Sequence, residues 1–349
     1  MTEQGDDHRC RMPDGTLLRG RWWRAVRDAR GLVLIRTPYG ADQHASTARS
    51  WSERGYHCLV QDVRGRYRSE GTWSPYAHEH DDGGEVLVRL TAEHPGLPVV
   101  VYGASYAAHA ALEAARAATR RGDGAGPGPV AAVIALVPAL GLAETAWDAG
   151  GEPQIRHRIG WWHEHGRTRR PEPPLPPDEL DRRTAQAREH GVIDAADHWG
   201  WTREARAAWR RLWTARRLDL AERYRGITAP LLVISGDEDF FHHDAQRLAS
   251  AWSGPSHLAS GPWGHLLVGG VADTALRARI AGAGGLKHVI DPWLSAHGLP
   301  GVPAEWTDIL APPPACPPAR PPSRPEPPRT RSVLDPAAGA WRHERTVHA

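Results

Sequence analysis

Five short runs of near-continuous aliphatic residues constrain this chain more than any other feature. They are Gly31–Thr37 (GLVLIRT), Tyr56–Val63 (YHCLVQDV), Pro98–Tyr102 (PVVVY), Val130–Val137 (VAAVIALV) and Pro230–Ser235 (PLLVIS). A strand with one wet face alternates apolar and polar residues. A strand that is apolar at nearly every position must be buried on both faces, as in a parallel sheet covered by helices. Helical patterns at Thr47–Arg54 and Gly83–Glu93 precede the second and third runs, and Ala107–Arg120, rich in good helix formers, follows the third. Strands alternating with helices predict βα units, a mostly parallel sheet and the α/β class.

The rhythm breaks between about Glu144 and Arg225. This segment has few apolar runs, a Pro-rich turn at Arg170–Pro177 (RPEPPLPP), and Trp147, Trp161, Trp162, Trp199, Trp201, Trp209 and Trp213. It is read as helices inserted between two strands. Helical patterns return at Asp244–Trp252, Ala272–Ala281 and His288–His297. Pro312–Pro328 then has ten prolines in 17 residues, which is incompatible with a helix or a ladder and predicts an extended, mobile segment. The expected division is a first core segment 1–143, a helical cap 144–226, a second core segment 227–301 and an unpacked tail 302–349.

Length and charge narrow the function. The 349 residues suit one large α/β domain with insertions, or two domains. The 43 basic and 41 acidic residues leave a net charge of +2, without the basic excess of a dedicated nucleic-acid binder. Cys10, Cys58 and Cys316 are sparse, odd in number and without a CxxC, which fits a reducing compartment better than a disulfide scaffold. The first residues are polar, and the longest apolar run, Val130–Ala143, is short for a membrane span and holds Pro138. The expectation is a soluble cytoplasmic protein whose partner is a small-molecule or peptide substrate, not a nucleic acid or a membrane.

Gly103-Ala104-Ser105-Tyr106-Ala107 lies between the Pro98–Tyr102 strand and the helix that opens at Ala107. Strand, sharp turn and helix are the context of a nucleophile elbow, with Ser105 exposed at the sheet's end and helix N–H groups beside it. The run Leu231–Phe240 (LLVISGDEDF) ends a buried strand in three acids, Asp237, Glu238 and Asp239. Any of these could orient a histidine or cap the following helix. His265 follows in a Gly/Pro-rich loop, Gly261–His265 (GPWGH). Serine, acid, histidine is the α/β-hydrolase order.

Several segments together resemble the family of X-Pro dipeptidyl-peptidases and cocaine-esterase-type serine hydrolases. Met12–Leu17 (MPDGTL) is similar to its opening DG-x-x-L strand, Arg36–Gly40 (RTPYG) to its RTPY loop, and Gln61–Gly71 (QDVRGRYRSEG) to its QDVRGRG-x-S-x-G stretch. Gly103–Tyr106 is similar to G-x-S-Y, and Gly261–His265 to GPW-x-H. The resemblance implies an α/β-hydrolase fold with a helical cap. It implies Ser105 as nucleophile, Asp239 as the acid and His265 as the base. The oxyanion hole would be the Tyr39 hydroxyl and the Tyr106 backbone N–H. Two departures stand out. Ala107 replaces the elbow's last glycine, a substitution small enough to be tolerated. The C-terminal jelly-roll domain usual in the family is expected to be missing, which removes the basis for naming X-Pro peptides or cocaine as substrates.

The expected activity is cleavage of an ester or amide through an acyl-enzyme, with no cofactor, as a tailoring step in specialised metabolism. Acyl transfer or cyclisation through the same intermediate is the alternative enzyme, and a non-catalytic hydrolase-like binding protein the alternative of another class. Trp161, Trp162 and Trp263 are the substrate-pocket candidates, although tryptophans in such an insertion more often pack it onto the body. The clusters His78-Glu79-His80-Asp81-Asp82 and His163-Glu164-His165 resemble metal ligands only locally, and no metal site is expected. The first is read as a solvated helix start. Arg64, Arg66 and Arg68 are read as bracing their loop by pairing with acids.

Overall fold

The computed structural model describes residues 5–121, 130–299, 329–335 and 340–345. Ten strands form one sheet: β1 (Asp6–Arg11), β2 (Leu17–Trp23), β3 (Gly31–Thr37), β4 (Tyr56–Asp62), β5 (Val99–Ala104), β6 (Val130–Leu136), β7 (Leu231–Gly236), β8 (Ser256–Gly261), β9 (Arg329–Asp335) and β10 (Ala340–Arg345). Their spatial order is β1-β2-β4-β3-β5-β6-β7-β8-β9-β10. Pairing is parallel from β4 through β9. The hairpin β1–β2, the β2–β4 pair and the β9–β10 pair are antiparallel.

The central strands show why their sequences are apolar throughout. Successive side chains point to opposite faces. Leu32, Leu34, Val99, Val101, Val133, Leu231 and Val233 enter one core, while Val33, Ile35, Val100, Ile134, Leu232 and Ile234 enter the other. The first core is covered by α2 (Glu79–Glu93), α3 (Tyr106–Arg121) and α9 (His242–Ala251). The second is covered by α1 (Ala45–Glu53), α10 (Thr274–Gly282) and α11 (Lys287–Ala296). Each fully buried aliphatic side chain contributes about 1.5–3 kcal/mol. α3 lies close to the sheet because its inner face is alanine: Ala108, Ala111, Ala114, Ala115 and Ala118 are all buried.

Helices α4 (Leu142–Ala146), α5 (Ile155–Trp161), α6 (Pro177–His190), α7 (Arg203–Thr214) and α8 (Leu220–Arg223) lie between β6 and β7. This insertion has its own core, in which Trp162, Trp199, Trp201, Trp209 and Trp213 are buried. Arg66 ties it to the body. Its guanidinium is fully buried and donates to the carbonyls of Pro38 (2.8 Å) and, in the insertion, Thr168. Trp73 Nε1 adds a bond to the His165 carbonyl (2.7 Å). Arg64 pairs with Asp82 and Asp14, and Arg68 with Asp7, as expected, but Arg66 binds carbonyls and the rings of Tyr67 and Trp73.

Three expectations need correction. Met12–Leu17 is the turn of the β1–β2 hairpin and not a strand, because Asp14 and Gly15 reverse the chain there. The acids at the start of α2 are not uniformly solvated: Glu79 and Asp82 are buried, holding Tyr106 and the arginines Arg36 and Arg64. The expected tail 302–349 is not unpacked throughout. β9 adds parallel to β8, and Trp341 of β10 meets Trp263 edge-on. The Pro-rich run Pro312–Pro328 and Cys316 lie outside the described residues.

The β8–β9–β10 junction carries a polar cluster. His257 lies 2.5 Å from Thr330 Oγ1 and 2.9 Å from Ser332 Oγ, which in turn lies 2.6 Å from His343 Nδ1. Burial, with His343 and His297 nearby, pushes the His257 imidazole down to about 4. The unfolded chain binds that proton near pH 6.5, so the stability this site contributes is complete above that pH and is lost as pH falls toward 4. The linkage is worth up to about 3 kcal/mol. Melting between pH 7.5 and 4.5 is therefore expected to show a steeper fall in Tm for the wild type than for His257→Gln. Parallel profiles would remove His257 as a cause.

Candidate active site

Loops leaving the C-terminal ends of β3, β5, β6, β7 and β8 meet at one place, where parallel α/β sheets expose their binding crevice. Between β5 and α3 a single residue, Ser105, reverses the chain. It does so at φ 56, a left-handed conformation that non-glycine residues seldom adopt. The turn is held by bonds from Ser105 N–H to the Leu136 carbonyl (2.9 Å) and from Ala139 N–H to the Ser105 carbonyl (3.2 Å). It is so tight that a Cβ at Gly103 would stand 2.1 Å from the Ala107 carbonyl oxygen. Ala107 itself is fully buried, its methyl accommodated.

Of the three acids after β7, Asp237 and Glu238 are exposed and Asp239 is buried. Asp239 Oδ1 accepts from His265 Nδ1 at 2.9 Å, and His265 Nε2 lies 2.9 Å from Ser105 Oγ. With its Nδ1–H held by the carboxylate, the imidazole presents an accepting Nε2 to the serine hydroxyl. Phe240 stacks on the imidazole (centroids 4.5 Å) and Phe241 meets it edge-on (5.3 Å). They are the chain's only two phenylalanines, and both pack on this histidine.

The Tyr39 hydroxyl is 3.4 Å from Ser105 Oγ. Trp161 Nε1 donates to that hydroxyl at 3.3 Å, leaving the Tyr39 O–H proton available to another acceptor. Tyr106 opens α3, where the backbone N–H groups have no intrahelical acceptor. Its side chain is fixed below, donating to Glu79 Oε1 (2.7 Å) and accepting from Tyr76 N–H (2.6 Å).

The three tryptophan candidates separate. Trp161 lines the cavity and stacks on Tyr106 (6.0 Å, 12°). Trp162 does not: it is 1% exposed and packs against Trp209 in the insertion core. Neighbouring residues on a helix point about 100° apart, so two adjacent tryptophans cannot both face the pocket. Trp263 is also not a lining residue. Its indole N–H donates to the Ser235 carbonyl (3.0 Å), and its ring fills the space left by Gly261, where a Cβ would stand 2.2 Å from it. It anchors the loop that carries His265.

The cavity has a volume of about 200 Å³. Besides these residues it is lined by Tyr76, His157 and Arg158, which the sequence did not single out, and by Glu164 and His165, which it marked only as part of a metal-like cluster. The single π-helical turn after α5, Trp162–Gly166, carries Glu164 and His165 there. Burial and the Arg66 charge push the His165 imidazole down to about 4. Burial lowers His157 too, helped by Arg158 and His265. Both are neutral at pH 7, so Arg158 supplies the fixed positive charge. Cys10 and Cys58 are free and buried, and burial pushes both thiols up, so neither is a poised nucleophile. Among the described residues no group of three His, Cys, Asp or Glu side chains is arranged to hold a metal ion. No helix among them is long and apolar enough to cross a membrane.

Sheet order and the strand-end crevice define the α/β-hydrolase fold. Residues 14–267 match the X-Pro dipeptidyl-peptidase (S15) family, and the chain belongs to that family. Among solved structures it is similar to an aminopeptidase from the marine sediment archaeon Thaumarchaeota archaeon, at 18% identity and a TM-score of 0.61, over 98% of this chain and 59% of that one. It is also similar to an alpha-amino acid ester hydrolase, at 14% identity and a TM-score of 0.57, over 97% of this chain and 58% of that one. The chain thus spans about three-fifths of the length of both, and at these identities the likeness is one of fold. No curated protein sequence matches it.

Proposed function

We propose that this protein is a serine hydrolase that cleaves an ester or amide bond through an acyl-enzyme. The observation that carries the reading is the continuous chain of contacts from Asp239 through His265 to Ser105, with the Tyr39 hydroxyl beside it. Ser105 Oγ attacks the substrate carbonyl as His265 Nε2 takes its proton. Asp239 keeps the imidazole in the accepting tautomer and stabilises the imidazolium. The tetrahedral oxyanion is held by the Tyr39 O–H and the Tyr106 N–H. Collapse expels the alcohol or amine, which takes the proton from His265. A water then gives His265 a proton and attacks the acyl carbon, and collapse releases the acid and Ser105 Oγ, which takes that proton back from His265. The family and the serine hydrolases of this fold support the same chemistry. The two neighbours act, by their names, on peptides and amino-acid esters, and both bond types lie within reach of one acyl-enzyme mechanism.

Mixing the protein with a 4-nitrophenyl ester should give a burst of nitrophenolate and a mass increase of one acyl group on Ser105. Tyr39→Phe should lower kcat by about 10²–10³-fold with little change in KM, since the lost donor acts on the oxyanion alone. A KM effect without a kcat effect would assign Tyr39 to ground-state binding.

A further inference from the structure

Among the described residues three arginines are buried: Arg36, Arg66 and Arg158. Two have evident reasons. Arg36 donates to Gln61 and to the Glu79 carbonyl and faces Asp82, and Arg66 donates to the carbonyls of Pro38 and Thr168. Arg158, on α5, is 6% exposed and lines the cavity that contains Ser105. Among the described residues its guanidinium has no carboxylate partner and no hydrogen-bond acceptor, and its Nε is buried unpaired. Its neighbours are the Phe241 ring (5.7 Å) and the tyrosines Tyr39 and Tyr76. A buried guanidinium without a counter-ion is costly, and is retained where something else supplies the anion.

We propose that Arg158 is an anion subsite that binds a carboxylate carried by the substrate, next to the bond cleaved. The proposal rests on the serine-hydrolase reading, because it is that chemistry which puts a substrate in this cavity. The guanidinium offers a planar fork of donors that matches a carboxylate in two parallel bonds. The surrounding groups favour the same sign. His157 and His165 are neutral imidazoles, and the tyrosine hydroxyls can donate. Glu164 is the one acid in the lining, but its side chain is 31% exposed and its carboxylate lies 3.8 Å from His165 Nε2, with no ion pair to Arg158. A substrate whose amine sat against Arg158 would meet a like charge in a dry site. The substrate class is therefore an ester or amide that bears a free carboxylate, on either its acyl or its leaving side.

Boronic acids that add reversibly to Ser105 test this without knowledge of the natural substrate. Protection of Ser105 against a fluorophosphonate is measured with 3- and 4-carboxyphenylboronic acid and with the matching neutral carbamoyl compounds. In the wild type at least one carboxylate should protect at a concentration tenfold or more below its carboxamide. In Arg158→Met that ratio should fall to about one, and in Arg158→Lys it should be intermediate. Each variant is compared with itself, so a general loss of reactivity cancels. Equal protection by acid and amide in the wild type, no protection by either, or an unchanged ratio in Arg158→Met would each overturn the subsite. Failure of the wild type to react with the fluorophosphonate at all is a separate result, and it would count against the hydrolase reading itself.

Discussion

Ser105→Ala and His265→Ala should each lower kcat by on the order of 10⁴–10⁶-fold, and the double variant should be no slower than either single one. The reason lies in their geometry. The imidazole 2.9 Å from Ser105 Oγ has no task in the first step except to take that oxygen's proton. Without the serine the base has nothing to deprotonate, and without the base the hydroxyl is a weak nucleophile. Residual turnover should come from binding and the oxyanion donors. Losses that multiply in the double variant would mean that the two residues act in separate steps.

Gly103→Ala should have the largest effect on the fold. The added Cβ would be 2.1 Å from the Ala107 carbonyl oxygen and 2.6 Å from Ala108 N, backbone atoms at the start of α3 that cannot turn aside. Relief requires α3 to move off β5, disturbing the alanine face that packs on the sheet. The cost should exceed about 4 kcal/mol, seen as insolubility or as a Tm lowered by about 10 °C or more. Gly160→Ala is the contrast. Its Cβ would meet nothing within 4 Å in α5, and the helix propensity gained should be worth up to about 1 kcal/mol. Equal stability of the two variants would show that the elbow is looser than described.

The sequence was most informative where a physical requirement leaves few residue choices. Strands buried on both faces must be apolar throughout, so β3 to β7 were legible nearly to their ends. β1 and β9 were not: β1, DDHRCR, is an edge strand whose charges look like a loop, and β9, RTRSVLD, although paired on both sides, carries two arginines and an aspartate. β8, SHLASG, is short and holds polar residues that bond to β9 and to α9. The elbow and the three acids could be placed because each follows a recognisable strand, whereas the choice of Asp239 and the role of His265 came from the resemblance of their segments to the family. The pocket could not. Trp161 and Trp162 are chemically identical in sequence, and only the helix phase decides which faces Ser105. Arg158 is one of many arginines, and its distinguishing property is the absence of a partner, which no sequence pattern records. The two phenylalanines directly after Asp239 were the one unread signal, since a chain with so few has spent both on one imidazole.

The central claim is that Ser105 is an activated nucleophile in a working site, and labelling by a fluorophosphonate tests it most directly. Wild type and Ser105→Ala, both checked for a native melting transition, are treated with the probe and examined by intact mass and peptide mapping. The expected result is one adduct per wild-type chain, located on Ser105, with none on the variant. A folded wild type that takes up no probe, or an adduct that persists when Ser105 is replaced, would contradict it.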